Sequence, residues 1–365
     1  MSSFIKYLLR RVLGLAVTFL LVTAGLYGIL MLAPAEQRAT LYFPRFDPSR
    51  RGNPAMDLEK LRQQIIEQHG MNDPYPLQYG RWLAQLLRGD LGWSPALRSD
   101  VLTALWVRTP ATLELTLYTL LFFIPLGLLG GMVAAWRQNR LVDYGFRLAA
   151  FIATSTPLFI LALVLLSIFY VGLGWFPISR LGAAEQLAVA DPTFRNFTGL
   201  LTLDGLLNQR PDITLGALRR LVLPVFTLSL YHWASLGRLT RAAMIEELGK
   251  DYVVVAHGKG LPPARVVGVH ALRNAMIPAL NSIGLSAAAL VTGVFVVEIV
   301  FDFPGISAVI VMGLRSAIQS QTAPDFALVM GFAVYSVLLV FLVTFCMDVL
   351  QALADPRIRE RVAEL

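Results

Sequence analysis

The sequence predicts an all-α polytopic membrane protein, and three observations carry that prediction. Hydrophobic residues fill 56% of the 365 positions and charged residues only 15%, against about 25% charged in ordinary soluble domains. Apolar runs of about 20 residues, the length a helix needs to cross a bilayer, recur along the chain. These runs also lack the polar face at helical spacing that a soluble amphipathic helix displays. The net charge of +7 gathers beside the apolar runs, a pattern of membrane orientation rather than of nucleic-acid binding. The single cysteine, Cys346, stands inside an apolar run. It can form no intrachain disulfide and reads as a packed thiol.

Six spans follow in order, at about 12–32, 112–136, 148–173, 221–236, 277–301 and 326–350. The first follows Lys6, Arg10 and Arg11. Its apolar stretch exceeds the roughly 7–15 residues of a signal-peptide core, so it reads as a retained anchor. Region 33–110 is polar: irregular through Pro54, then helical over 57–69 and 78–87, with a turn at Gly89-Asp90-Leu91-Gly92. Those two helices suit either a membrane surface or packing over the bundle. Pro125, Gly127, Gly130 and Gly131 in the second span permit bends and close helix contact. Pro157 lies in the third span, Pro224 in the short fourth, and a face of Gly284, Ser286, Ala287 and Gly293 in the fifth.

Basic residues in the short connections set the orientation. Lys6, Arg10 and Arg11 precede span one, and Arg137, Arg140 and Arg147 lie in connection 137–147. Six more lie in 238–276, and Arg357, Arg359 and Arg361 in the tail. With six spans these four regions share one side, the cytoplasm, so both termini are inside and 33–110 is a long periplasmic region. The predicted organisation is an N-terminal cytoplasmic segment and first span (1–32), the periplasmic region (33–110), and a transmembrane domain (111–365) containing the cytoplasmic loop 238–276.

That loop carries the pattern most specific to function. Asp251 is placed to cap a short helix over 252–259, Gly258 and Gly260 to end it, and Pro262-Pro263 to stop its continuation. A second helix over 264–275, with Arg265 and Arg273 exposed, completes a compact knob that suits a groove on a soluble partner. The sequence here, Asp251-Tyr252-Val253-Val254-Val255-Ala256-His257-Gly258-Lys259-Gly260-Leu261 followed by His270-Ala271-Leu272-Arg273-Asn274-Ala275-Met276-Ile277-Pro278, resembles the degenerate EAA motif of permease subunits of bacterial ABC importers. The resemblance is to their dipeptide/oligopeptide/nickel branch, with Gly260 at the family's fixed glycine. Leu87–Gly92, Thr109–Glu114, Leu173–Pro177, Leu223-Pro224, Leu239–Arg241 and Val297–Ile306 resemble further family segments in order, so the likeness covers nearly the whole chain. The chain departs from the pattern at Ala33-Pro34-Ala35-Glu36 and in a lengthened segment to about Asp57. In the loop, Val254 stands where the family usually has Arg, and Gly258 where it often has Ala.

The resemblance implies a type I ABC importer permease fold in the bacterial inner membrane. It implies a loop in which Asp251, Tyr252, Ala256, Lys259, Gly260 and Leu261 dock on one of two separate ATPase subunits, which hold ATP and Mg. It further implies a second homologous permease and a periplasmic substrate-binding protein that delivers di- or oligopeptides. The chain has no G-x-x-x-x-G-K-[ST], so ATP hydrolysis is not expected of it. Nickel chelates, glutathione, sugars, antimicrobial peptides and the export direction stay open at this point. A stand-alone secondary transporter or channel would show charged or broken sites at mid-membrane, and these spans show few. An intramembrane enzyme would need a nucleophile paired with a base. Glu298, near the outer end of the fifth span, is a candidate for the substrate path or for bonding the following turn. Glu114 and Asp348 read as interfacial. His257 and His270 read as loop histidines without metal-ligand spacing.

Overall fold

The computed structural model describes residues 3–44, 54–320 and 324–354. The lengthened segment to Asp57 falls partly, and the charged tail from Asp355 wholly, outside these residues. The helices are α1 (Ser3–Leu30), α2 (Ala35–Arg38), α3 (Pro54–Gln68), α4 (Tyr75–Leu87), α5 (Val101–Trp136), α6 (Leu141–Ser155), α7 (Leu158–Leu166), α8 (Ala183–Ala190), α9 (Leu201–Leu207), α10 (Pro211–Leu248), α11 (Asp251–Gly258), α12 (Pro263–Arg265), α13 (Leu272–Val300), α14 (Ser307–Ser320) and α15 (Phe326–Ala354). One two-stranded antiparallel ribbon, β1 (Trp93–Ser94) with β2 (Ser99–Asp100), joins them.

Among the described residues, five helices are long and apolar enough to cross a membrane, and α6 with α7 makes a sixth if the bent pair counts as one span. That pair corrects the continuous span expected at 148–173. The chain turns by 105° between α6 and α7, because Pro157 drives Thr156 out of the helical region to φ −92°, ψ 122°. Helix α10 runs 38 residues, well beyond the expected 221–236. The apolar run stops at arginines, but backbone hydrogen bonding continues through them and past Pro224.

The chain forms two compact units. The first comprises Met1–Leu8, Ala111–Pro304 and Val340–Leu365. Its centre is α10, packed on α13, α6, α7 and α9. Leu115, Leu223, Leu228, Leu290, Val294, Val297 and Phe301 belong to one of its core clusters. Helices α5 and α10 meet where both are small. A Cβ on Gly131 would lie 2.5 Å from the Gly237 carbonyl oxygen and 2.7 Å from Thr240 Cβ, and one on Gly127 would lie 2.7 Å from Leu236 Cδ2. Here glycine permits backbone contact that larger residues forbid. Cys346 is exposed on α15, which corrects its reading as a packed thiol. In an all-apolar helix no polar face marks which side turns inward.

The second unit comprises Leu9–Pro110 and Gly305–Leu339. The part of 33–54 read as irregular opens with α2 and a 3₁₀ turn, Ala39–Tyr42. Helix α4 packs against α1: Tyr75 donates to the Ala24 carbonyl at 2.6 Å, Thr23 and Tyr79 share a hydroxyl bond at 3.0 Å, and Trp82 lies 5.2 Å from the Tyr27 ring. Buried Arg38 donates to Gln78 Oε1 at 2.7 Å and to the Met71 carbonyl at 3.1 Å. Asp325 accepts from Ser94 Oγ at 2.6 Å and from the Leu328 N–H at 3.0 Å, capping α15 and tying it to the ribbon.

Gly131→Ala is therefore expected to destabilise the chain by about 1–3 kcal/mol through overpacking. Gly14→Ala, whose Cβ would meet nothing within 4 Å, is expected to be neutral or slightly stabilising. Thermal unfolding of the two detergent-purified variants, followed by fluorescence, compares them.

Candidate functional site

The loop after α10 builds its geometry from short-range interactions. Lys250, with extended backbone at φ −83°, ψ 151°, is the residue preceding α11, and no side chain caps that end. Asp251 is thus the first helical residue rather than the cap expected of it. Its carboxylate lies in the first turn, where the helix dipole favours negative charge. Lys250 Nζ binds Glu247 at 2.6 Å and reaches Glu246 at 3.6 Å, and its hydrogen bond to Glu247 holds its pKa above the usual lysine value. The Tyr252 hydroxyl donates to Glu247 Oε2 at 2.7 Å, and burial raises its pKa.

The far end of α11 closes in a Schellman motif. The Gly260 N–H bonds the His257 carbonyl at 2.9 Å and the Leu261 N–H bonds the Ala256 carbonyl at 3.4 Å. This pattern requires a left-handed residue at Gly260, which has φ +75°. A side chain there would meet nothing within 4 Å, so conformation, not space, demands glycine. Leu261 then packs on the cluster of Val253, Ala256 and Val266 that glues α11 to the next element.

That element is longer than the helix expected over 264–275. α12, a π-helical turn at Val266–Ala271 and α13 follow one another without a break, and α13 continues through Pro278. Pro263–Val300 therefore forms one helical rod. Val267, Ala271 and Ala275 of this rod bury against Met244 of α10 and Ala135 of α5. Arg241 of α10 grips Asp143 of α6 with two bonds, of 2.6 and 2.8 Å, and the Asn139 N–H bonds the same carboxylate at 3.0 Å. Connections 137–147 and 238–276 are thus braced at one end of the first unit.

Of the six loop residues singled out by sequence, Asp251, Lys259 and Gly260 are exposed, Tyr252 and Leu261 are half-buried, and Ala256 is buried. Ala256 supports the knob from within instead of facing outward. The exposed face also carries Val254 and Val255, 66% and 55% accessible, which the sequence reading did not single out as contact residues.

Two carboxylates lie elsewhere in the same unit. Glu298, fully buried, accepts a short hydrogen bond from Thr112 of α5. Its backbone carbonyl accepts from the Phe303 N–H of the following turn at 2.8 Å. Glu114 is enclosed by protein. It is fully buried and accepts from Arg180 Nη2 at 2.7 Å and from the Thr202 N–H and Oγ1 at 2.9 and 2.8 Å. Arg180 also donates to the Gly199 carbonyl at 2.7 Å, and the Ser179 N–H to the Phe301 carbonyl at 2.9 Å. The polar segment between α7 and α10 is thereby pinned to α5 and to the end of α13.

This arrangement, a small capped helix glued to a rod that becomes a membrane span, coincides with a profile match. Residues 127–360 match the family of binding-protein-dependent transport system inner membrane components. The chain belongs to this family. It is an ABC importer permease of the inner membrane, part of a transport system with other subunits. The chain is 36% identical over 357 residues to the di/tripeptide transport system permease protein DppB of Pseudomonas aeruginosa, covering 98% of this chain and 99% of that one. It is 32% identical to the dipeptide transport system permease protein DppB of Alkalihalophilus pseudofirmus over 97% of this chain and 99% of that one. With the probable D,D-dipeptide transport system permease protein DdpB of Escherichia coli it shares 37% identity over 86% of this chain and 88% of that one.

Two groups in this permease escaped sequence reading. Asp143 sat among arginines in a connection, and its partner Arg241 lies 98 residues away. Glu114 was visible, but nothing local tied it to Arg180. Truncating one partner of a buried pair strands the other charge, so Glu114→Ala is expected to cost about 3–5 kcal/mol. Glu114→Gln keeps acceptor capacity and should cost less, as thermal unfolding of both variants would show. Gly260→Ala should cost about 1–2 kcal/mol of left-handed strain, whereas Gly258→Ala, in open helical surroundings, should stabilise α11 by up to about 1 kcal/mol. Hydrogen exchange of the 251–261 amides should rise in the first and fall in the second.

Proposed function

We propose that this chain is one of two membrane subunits of an ATP-driven importer of di- and oligopeptides, and that α11 docks in a cleft on an ATPase subunit. The observation that carries the docking is the construction of the loop. An exposed helix with an apolar outer face at Val254 and Val255 is locked by Gly260 and packed on a rod reaching into the membrane. Force applied to such a helix reaches α13 with little lost to bending. Nucleotide-driven closure of two ATPase subunits would move α11, and the rod would tilt the span it becomes.

Peptide cargo is supported by the names of relatives that align along nearly the whole chain. In this reading ATP and Mg are held by the ATPase subunits and this chain hydrolyses nothing. A second, homologous permease completes the path, and a periplasmic binding protein delivers the peptide. Orientation with connections 137–147 and 238–276 in the cytoplasm is supported by their basic residues and by the Asp143–Arg241 brace between them. The N-terminal segment and the end of α15 share that side in this reading, consistent with the Tyr7 hydroxyl donating to the Asp348 carbonyl at 3.5 Å. Region 33–110 and the segment pinned by Glu114 then face the binding protein.

The test is reconstitution with the ATPase subunits, partner permease and binding protein. Gly260→Asp and Val254→Asp are each expected to abolish peptide uptake and co-purification of the ATPase while the chain stays in the membrane. Val254→Asp leaves the Schellman motif intact, so it separates docking from folding of the loop. Undiminished uptake and co-purification in Val254→Asp would remove the docking assignment.

A further inference from the structure

The break between α6 and α7 leaves backbone groups that the transport reading does not use. The pair climbs α10 in one direction. Asp143 meets Arg241, Phe146 stands edge-on to Trp233 at 5.3 Å, and beyond α7 the Trp175 carbonyl accepts from Arg219 at 2.9 Å. The pair is therefore one crossing span and not a re-entrant loop. Leu158, the first residue of α7, and Leu228 of α10 close over the same glycine: a Cβ on Gly293 would lie 3.1 Å from the first and 3.3 Å from the second. The break thus sits at the level of Leu228, roughly 26 Å along α10 from Pro211 and roughly 30 Å from Leu248 at about 1.5 Å per residue. That depth is mid-membrane.

An unbroken helix would pair every backbone group here. Pro157 has no N–H for the Ala153 carbonyl, and the Ile160 N–H bonds the Pro157 carbonyl at 3.0 Å instead of that of Thr156. Among the described residues no hydrogen bond reaches the carbonyls of residues 153–156 or leaves the N–H groups of Leu158 and Phe159, and no side chain caps α7. Ser155 and Pro157 are exposed on this chain, and Thr154 and Thr156 are half-buried. Hydrocarbon offers such groups no partner, and irregular backbone at membrane depth persists only where protein covers it or water reaches it. A second group marks the same depth. Thr227 and Thr240 of α10 donate to carbonyls one turn back, at 2.8 and 2.9 Å, whereas Ser229 Oγ, next to Leu228, is buried without a partner. Buried hydroxyls are paired in nearly all interiors, so Ser229 points to an arrangement of the bundle in which water or cargo reaches this level.

We propose that the α6–α7 break lies on the translocation path and holds the backbone of the passing peptide. The carbonyls of residues 153–156 accept peptide N–H groups, and the Leu158 and Phe159 N–H groups donate to a peptide carbonyl. The proposal rests on the peptide-cargo reading and deepens it by naming a contact point on the permease. Backbone groups read the peptide backbone and not its side chains, so the break would pass peptides irrespective of their sequence.

The assembled transporter in lipid nanodiscs, carrying Ser155→Cys in a Cys346→Ser background, tests this. The readout is the rate of labelling by a charged methanethiosulfonate, which reacts in water and not in hydrocarbon. The probes are tri-alanine and its N-methylated form, which lacks the amide N–H groups, each with and without ATP. The thiol is expected to react in at least one nucleotide state and tri-alanine to protect it. The N-methylated form is expected to need at least about tenfold more for the same protection. Phe159→Cys, exposed on the first turn of α7, supplies the same readout where the Ser155 variant does not fold. A thiol unreactive in both states would place the break against lipid or the partner permease, and reaction without protection would make it wet but not a binding site. Either result, or equal protection by the two peptides, overturns the proposal. Uptake by the unsubstituted transporter is measured in parallel. Peptide uptake alongside any of those results removes the assignment of the break alone, and absence of peptide uptake removes the cargo reading on which it rests.

Discussion

One backbone conformation organises the part of this molecule that meets a partner: the left-handed turn at Gly260. It lets the Gly260 and Leu261 N–H groups satisfy two carbonyls at the end of α11. It also swings Leu261 back onto Val253, Ala256 and Val266. Without that reversal α11 would have no packed face, and an eight-residue helix does not persist by propensity alone. The knob therefore owes its shape to the turn and its stiffness to a small apolar cluster. Both properties pass to the rod that follows, because Val266 belongs to the glue and to the rod at once.

Much of this was legible in the chain. Glycine two residues after a short helix, followed by Leu-Pro-Pro, is a stop signal whose chemistry does not depend on distant residues, so the elbow at Gly260 was visible. Apolar runs gave the membrane-spanning helices for the same reason: hydropathy is a local property. What stayed hidden was long-range or directional. The break at Thr156–Pro157 lies in a run whose composition is uniformly apolar, and proline in a span is compatible with a mild kink or with a 105° turn alike. The inward face of Ala256 and the outward face of Cys346 depend on which neighbours pack, and uniform apolarity records neither. The ion pairs of Glu114 and Asp143 join residues 66 and 98 positions apart, beyond the reach of any spacing argument.

Those buried pairs divide labour between the two ends of the first unit. At one end Asp143 and Arg241 brace the connections around the knob. At the other, Glu114 and Arg180 hold the polar segment against α5, while Ser179 ties it to the end of α13. A buried charge pair adds little net stability but strongly penalises alternative arrangements that leave one charge alone. Between the braces, α5 and α10 meet through glycine-to-backbone contact at Gly131 and Gly237 and a hydrogen bond of 3.1 Å from the Trp233 indole to the Leu126 carbonyl, with apolar packing around them. Apolar surfaces of this kind slide more readily than paired charges separate. The charged braces and the sliding interior together suit a bundle that rocks as a body.

The central claim is that α11 and the rod move as one piece. The direct measurement is the distance between spin labels at His257→Cys on α11 and Leu285→Cys on α13, in a Cys346→Ser background, within the assembled transporter. A rigid knob and rod predict one narrow distance distribution that stays the same with and without ATP. A second population, or a shift of several ångströms on adding ATP, would place a hinge within the loop and contradict the account.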